Sequence, residues 1–269
     1  MMKSLFLIIG LLFSLSALSA EYTFAFVPQQ SANKLAKNWQ PVLNYINDKT
    51  GDKYIFKTAK DIPTFESRLL NQEYDVAYMN PYHFIVFNKQ AGYEAIARQK
   101  NKQIKGIIVV KKDSGINTLS QLHDHVLAFP APAAFAASIL PRSELMKQGI
   151  SFTPRYVSSH DSVYLNVARG FVKAGGGVIR TLENTDPEIK SQLDILWTTP
   201  GYTPHAFAVK QDMPQEAKAR LTHALTSLAN SERGRALLAA VNFTAIMPAS
   251  NAHWQDIEAL NIDILVGKE

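Results

Sequence analysis

Cysteine is missing from all 269 residues. Disulfides, thiolate metal sites, a cysteine nucleophile and a lipid-bearing cysteine are thereby excluded from the chain's chemistry. Long apolar runs are almost as scarce. The one at residues 5–15 falls short of the roughly 20 residues that a spanning helix needs. With Met1-Met2-Lys3 ahead of it and the small residues of Ala17-Leu18-Ser19-Ala20 behind, it reads as a secretory signal peptide over 1–19, with Ala20 as the other candidate last residue. The expected mature chain is exported, soluble, not a lipoprotein, and located in a periplasm. Charge of one sign is also lacking. There are 28 Lys and Arg against 23 Asp and Glu, and loss of Lys3 leaves 27 against 23, a net +4. No basic run is interleaved with aromatics, so no nucleic-acid or membrane-surface function is expected. Internal repeats, charge blocks and low-complexity tracts are absent, as are a Gly-x-Ser-x-Gly elbow and a His-Glu-x-x-His pair. No metal or cofactor is expected.

The roughly 250 remaining residues suit one large domain or two ordinary ones. Residues 22–27 have the aromatic and β-branched content of a strand. After them Leu35, Trp39, Leu43 and Ile46 recur at helical spacing, interrupted by Pro41 and ended by Gly51. Strand 53–58 and helix 64–71 follow. Asp75-Val76-Ala77-Tyr78-Met79-Asn80-Pro81-Tyr82-His83-Phe84 then reads as a buried strand that runs into a helix capped by Asn80 and started by Pro81. Such a junction aims free N–H groups above the strand end, with Tyr78 and Tyr82 on its lip, and is suited to a small anion. Strands at 94–97 and 104–110 have no helix between them, which breaks the βαβ alternation and marks the exit from a first lobe. The second lobe reads as helix 119–123, strand 126–129, an Ala-rich helix over 133–148, strand 155–157, helix 161–168 and strand 174–179. Strands 195–197 and 205–209 lead back to the first lobe and a helical C-terminal part. The fold class is α/β, two βαβ lobes joined by two crossover strands as a clamshell, with lobe one at 20–110 plus 205–269 and lobe two at 111–204. A ligand would sit where strand ends of both lobes face a cleft.

Four segments carry a family resemblance in register: Val27-Pro28-Gln29-Gln30-Ser31 with Trp39-Gln40-Pro41, Asp75-Val76-Ala77-Tyr78, Asn80-Pro81-Tyr82-His83, and Ser159-His160-Asp161-Ser162. Together they resemble the phosphate/phosphite/phosphonate substrate-binding proteins of ABC transporters. The resemblance implies a type II periplasmic binding protein fold, capture of a small anionic solute between the lobes, and delivery to a permease in the inner membrane by a monomer. It also implies that Gln29, Gln30, Ser31 and Tyr78 line the cleft from lobe one, and His160 from lobe two; Tyr82, on the lip of the strand-to-helix junction, and Ser159, which could equally cap its helix, are further candidate contacts. Two departures stand out. The family's Ser-Thr-Ser-like helix start is here Ala134-Phe135-Ala136, which keeps backbone donors and loses hydroxyls. Where aminophosphonate-binding members place acids for a ligand ammonium, Arg180 and His205 stand here, and Lys173 replaces a common Asp. A cation would be repelled by Arg180, and a carboxylate or phosphate would meet a planar fork of donors.

Three functions compete at this level. The first is solute capture for an ABC permease. In the second the same fold reports to a sensor kinase or chemoreceptor. The third, an exported hydrolase, has Ser158, Ser159, His160 and Asp161 to draw on. Neighbours in sequence at a helix start cannot face one another as a nucleophile, base and orienting acid must. Gly175-Gly176-Gly177 lacks the Lys-Ser/Thr ending of a phosphate loop and reads as close strand packing.

Overall fold

Eleven strands fall into two sheets in a computed structural model that describes residues 20–265. The signal-peptide reading over 1–19 lies outside the described residues. The first lobe opens with β1 (Glu21–Phe26), α1 (Ala32–Thr50), β2 (Lys53–Lys57), α2 (Ile62–Leu70), β3 (Val76–Met79), α3 (Pro81–Ala91) and β4 (Tyr93–Gln99). Local chemistry sets these bounds. Ser31 and Asp61 cap α1 and α2 through their side chains, and Gly51 ends α1 in the left-handed conformation at φ 76°. Asn80 Oδ1 accepts the His83 N–H at 2.8 Å, and Pro81 occupies the first helical position of α3, as the sequence predicts.

The second lobe comprises β5 (Gly106–Lys111), β6 (His125–Phe129), α4 (Leu140–Lys147), β7 (Phe152–Tyr156), α5 (His160–Ala168), β8 (Ala174–Val178), α6 (Ile179–Glu183), α7 (Pro187–Lys190) and β9 (Leu193–Thr198). The chain returns through β10 (Ala206–Lys210), α8 (Gln215–Thr226), α9 (Glu232–Ala240), β11 (Ile246–Pro248) and α10 (Gln255–Glu258). The sheet orders are β11-β4-β10-β3-β1-β2 and β7-β6-β8-β5-β9. In each sheet three strands run parallel and the strand entering from a crossover is antiparallel to them.

Three sequence expectations shift. Strand 106–111 pairs with β8 and β9 and belongs to the second sheet, not to lobe one as the sequence predicts. Ile107 to Val110 are buried on both faces, so side-chain pattern alone could not say which sheet holds them. The crossovers are therefore 100–105 and 199–205. They meet at one antiparallel bridge, where Ile104 and Tyr202 exchange N–H···O bonds of 2.8 and 3.0 Å. The predicted helix over 133–148 begins as a π-helical turn (Phe135–Ile139) before α4. The backbone there lies against strand glycines: a Cβ on Gly106 would overlap Ala136 O, and one on Gly176 would overlap Ala137 O. Close packing, not phosphate binding, accounts for the triple glycine of β8.

Each sheet carries apolar layers on both faces. One layer crosses between the lobes: Ala133 to Ala137, Val178 and Ile104 pack with Val27, Ile62 and Ala206. This shared layer fixes how the ends of the two sheets face each other, and with them the site.

Candidate functional site

Four strand ends converge where the lobes meet. β1 leads into Gln29 and Gln30, β3 ends at Tyr78 and Met79, β8 leads into Arg180, and His205 precedes β10. Helix α6, which the sequence reading did not anticipate, begins directly after β8 and turns Arg180 back across the seam. Its Nη1 donates to Tyr78 Oη at 3.1 Å and its Nη2 to Gln29 Oε1 at 2.8 Å. The guanidinium also stands over the rings of Tyr78 and Phe243, with its carbon 5.7 and 5.8 Å from their centroids. Among the described residues no carboxylate comes within ion-pairing distance of Arg180. Two of its five N–H donors are engaged with neutral oxygens and the rest remain for a ligand.

Tyr78 is packed between Trp39 and the His205 ring, which stacks on it at 5.0 Å. Burial pushes the Tyr78 phenol above its usual pKa and Arg180 opposes this, so the hydroxyl keeps its proton as a donor. His160 caps the seam from the second lobe. Its N–H donates to Gln29 O at 3.0 Å, and its Nδ1 shares a 3.0 Å hydrogen bond with Thr181 Oγ1. Further contacts join the lobes: Asn242 Nδ2 donates to Asn184 Oδ1 at 2.6 Å, Asn80 Nδ2 to Ala133 O at 3.3 Å, and Lys34 reaches Asn184 O and, at 3.9 Å, Asp161.

Two chambers open on this seam. The first is bounded by Ala134, Phe135, Ala136, Asn80, Gln29 and His160, the family's expected anion position, and leaves room for about one water molecule. Phe135 is buried and meets the Tyr202 ring edge-on at 5.6 Å, so it closes this end rather than offering a face to a ligand. The second, of about 420 Å³, is bounded by Tyr78, Arg180, His205 and the 100–105 crossover. Ile104, Val178 and His205 line both.

The expected residues thus separate. Gln29, Tyr78, Ala134, Phe135, Ala136, His160, Arg180 and His205 come together at the seam. Gln30 sits beside Gln29 in a crevice on another side of Arg180. Tyr82 does not belong: its hydroxyl accepts the Leu265 N–H at 2.9 Å, inside lobe one. Tyr82 follows Pro81 in the first turn of α3, a helix buried nearly all round, and its ring is packed in the core. Ser31 and Ser159 are spent as helix caps, with Oγ accepting from Lys34 N and Ser162 N. Lys173 is exposed ahead of β8, at the opposite end of the strand from Arg180. Lys102, Lys105, Asn184 and Asn242 were missed, and nothing in their local sequence marks them, because crossover contacts exist only once both sheets are in place.

The family model for the ABC transporter phosphonate periplasmic substrate-binding protein matches residues 24–254. The chain belongs to this phosphonate-binding family. A curated relative, the phosphate-import protein PhnD of Mycolicibacterium smegmatis, is 21% identical over 217 residues, covering 72% of this chain and 67% of the relative. Among solved structures, a binding component of an ABC phosphonate transporter from Pseudomonas aeruginosa superposes with TM-score 0.83 at 17% identity, covering 90% of this chain and 86% of that one. PhnD1 from Prochlorococcus marinus gives 0.82 at 17% identity, covering 90% and 97%. A Xanthomonas citri protein gives 0.70 at 18%, covering 90% and 96%. The expected type II periplasmic binding protein architecture is thereby established, and the curated relative and the Pseudomonas aeruginosa structure are transport proteins by description.

In this family member two histidines are held neutral at the seam. Burial, then Arg180, lowers the pKa of His160 to about 3; burial first, and then Arg180, His83 and His160, hold His205 well below 6.5. Their contribution to stability is complete above pH 6.5. It falls with acidification through the window down to about 3, where the unfolded chain takes up protons that the folded chain refuses. The expected slope is up to about 1.4 kcal/mol per pH unit for each histidine. Urea midpoints at pH 7.5, 5.5 and 4.5 measure it, and His160→Asn should be less acid-sensitive than the parent; an unchanged slope would mean that His160 is not buried neutral.

Proposed function

We propose that this chain is a periplasmic solute-binding component that captures a small oxyanion between its two lobes and presents it to an ABC permease. The observation that carries this reading is Arg180, a guanidinium from the second lobe fixed across the seam on Gln29 and Tyr78 without a carboxylate partner among the described residues. An uncompensated, partly buried cation favours an anion. The solved relatives include one in complex with methylphosphonate and one Xanthomonas citri protein bound to chloride and to ATP, all anions. In this chain the anion is centred on Arg180 rather than on the helix start, because Ala134-Phe135-Ala136 lacks hydroxyls and its chamber is too small for a tetrahedral group. Ligand contacts to both lobes would favour the closed form that a permease recognises.

A thermal-shift screen of the mature protein against phosphate, phosphite, methylphosphonate, sulfate and small carboxylates tests this. A ligand at 100 times its Kd adds about 2.7 kcal/mol of stability, a readily visible shift. Stabilisation by an oxyanion is the expected outcome. Stabilisation by cationic or neutral solutes only would overturn the reading.

A further inference from the structure

The chamber of about 420 Å³ lies in the ordinary range for organic ligands, roughly 300–1,000 Å³. A bare phosphate or methylphosphonate, a few times the roughly 30 Å³ share of a water, would fill only a fraction of it. Its charge is one-sided: Lys102, Lys105 and Arg180 line it and, among the described residues, no Asp or Glu does. Lys102 and Lys105 belong to the first crossover and are both exposed. Neither is ion-paired among the described residues. Lys105 is tied to the Arg180 helix by the Ile179 N–H, which donates to Lys105 O at 3.3 Å. The wall adds Asn101 and Gln99 amides and His205, a residue 2% exposed whose Nε2 has no hydrogen-bond partner among the described residues. Three cations, neutral hydrogen-bonding groups and a volume well beyond a single oxyanion describe one kind of occupant.

We propose that this chamber binds an organic polyanion, a solute with at least two acidic groups on a carbon frame, one group held by Arg180 and another by Lys102 and Lys105. Phosphate esters and polycarboxylates share this chemistry. The proposal rests on the oxyanion reading above and narrows it to a class of solute. Such a ligand touches the first lobe at Tyr78, the second at Arg180, and both crossovers, at Lys102 and Lys105 and at His205. Its binding energy would therefore bear directly on the hinge and bias the lobes toward closure.

The test is titration calorimetry at low salt with inorganic phosphate and methylphosphonate as single anions, and ATP, fructose 1,6-bisphosphate and citrate as polyanions. It compares the parent protein with the double variant Lys102→Ala/Lys105→Ala, whose exposed side chains should not affect folding; equal melting temperatures check this. At least one polyanion is expected to bind about tenfold or more tighter than phosphate, and the double variant to lose that advantage, its affinity for the polyanion falling by a larger factor than its affinity for phosphate. ATP and the bisphosphate against citrate separate the two chemical sources. Polyanions that bind no tighter than phosphate, or a double variant that binds them as the parent does, would overturn this inference and leave the oxyanion reading standing. Absence of binding by every anion would overturn both.

Discussion

Arg180→Glu is expected to abolish oxyanion binding, lowering affinity by about a thousandfold or more in titration calorimetry. The loss has two parts. The guanidinium supplies charge-assisted hydrogen bonds, each worth about 1.5–3 kcal/mol. A unit charge about 4 Å from the bound anion contributes about 4 kcal/mol at an effective dielectric of about 20, and a carboxylate there turns this attraction into repulsion. Either part alone exceeds the roughly 1.4 kcal/mol that separates tenfold steps in Kd. The variant should still fold, because Arg180 is half-buried at the seam and packs on ring faces rather than inside a core layer. Arg180→Lys keeps the charge and loses the planar fork that spans Gln29 and Tyr78, so an intermediate loss of about tenfold is expected. Parent-like affinity in the Glu variant would remove Arg180 from the site.

How much of this was legible beforehand depended on whether a feature is local or assembled. The Asn80-Pro81 helix start, the Gly51 terminus and the apolar stripe of α1 follow from residues within one or two turns of each other, and the structure reproduces them. The four in-register segments named the family and fold correctly. Arg180, Tyr78, His160 and His205 stand at one seam, though α6, the element that aims Arg180, carries only a five-residue pattern too short to read. What sequence could not give was which of two sheets takes an apolar strand, as with β5, or which way an aromatic turns after a cap, as with Tyr82. The crossover lysines lie furthest from sequence logic. Their place beside Arg180 is a product of the Ile104–Tyr202 bridge and of β8 ending where it does.

The other large effect should come from a residue with no side chain. Gly176→Ala is expected to destabilise the protein by about 3 kcal/mol or more and to abolish ligand binding, though Gly176 touches no chamber. Its Cβ would overlap the Ala137 carbonyl oxygen and come within 2.8 Å of Phe129 Cδ1. Overpacking of a core commonly costs about 1–3 kcal/mol where flexible side chains can give way. Here the first obstacle is backbone, in the turn that begins α4, and that turn is itself seated on Gly106 of the neighbouring strand. Neither partner can retreat without breaking the pairing of β5 with β8, where Ile108 stands opposite Gly176. The strain would pass along β8 into Arg180, four residues on, and displace it from Gln29 and Tyr78. Gly170→Ala makes the control. That glycine has φ 73° and open space around it, so its cost is conformational alone, about 1–2 kcal/mol, with binding retained. Urea unfolding and calorimetry of both variants distinguish the effects: equal losses of stability and binding would mean that β8 tolerates a methyl group, and that the close seating of the helix start on the sheet does not position Arg180.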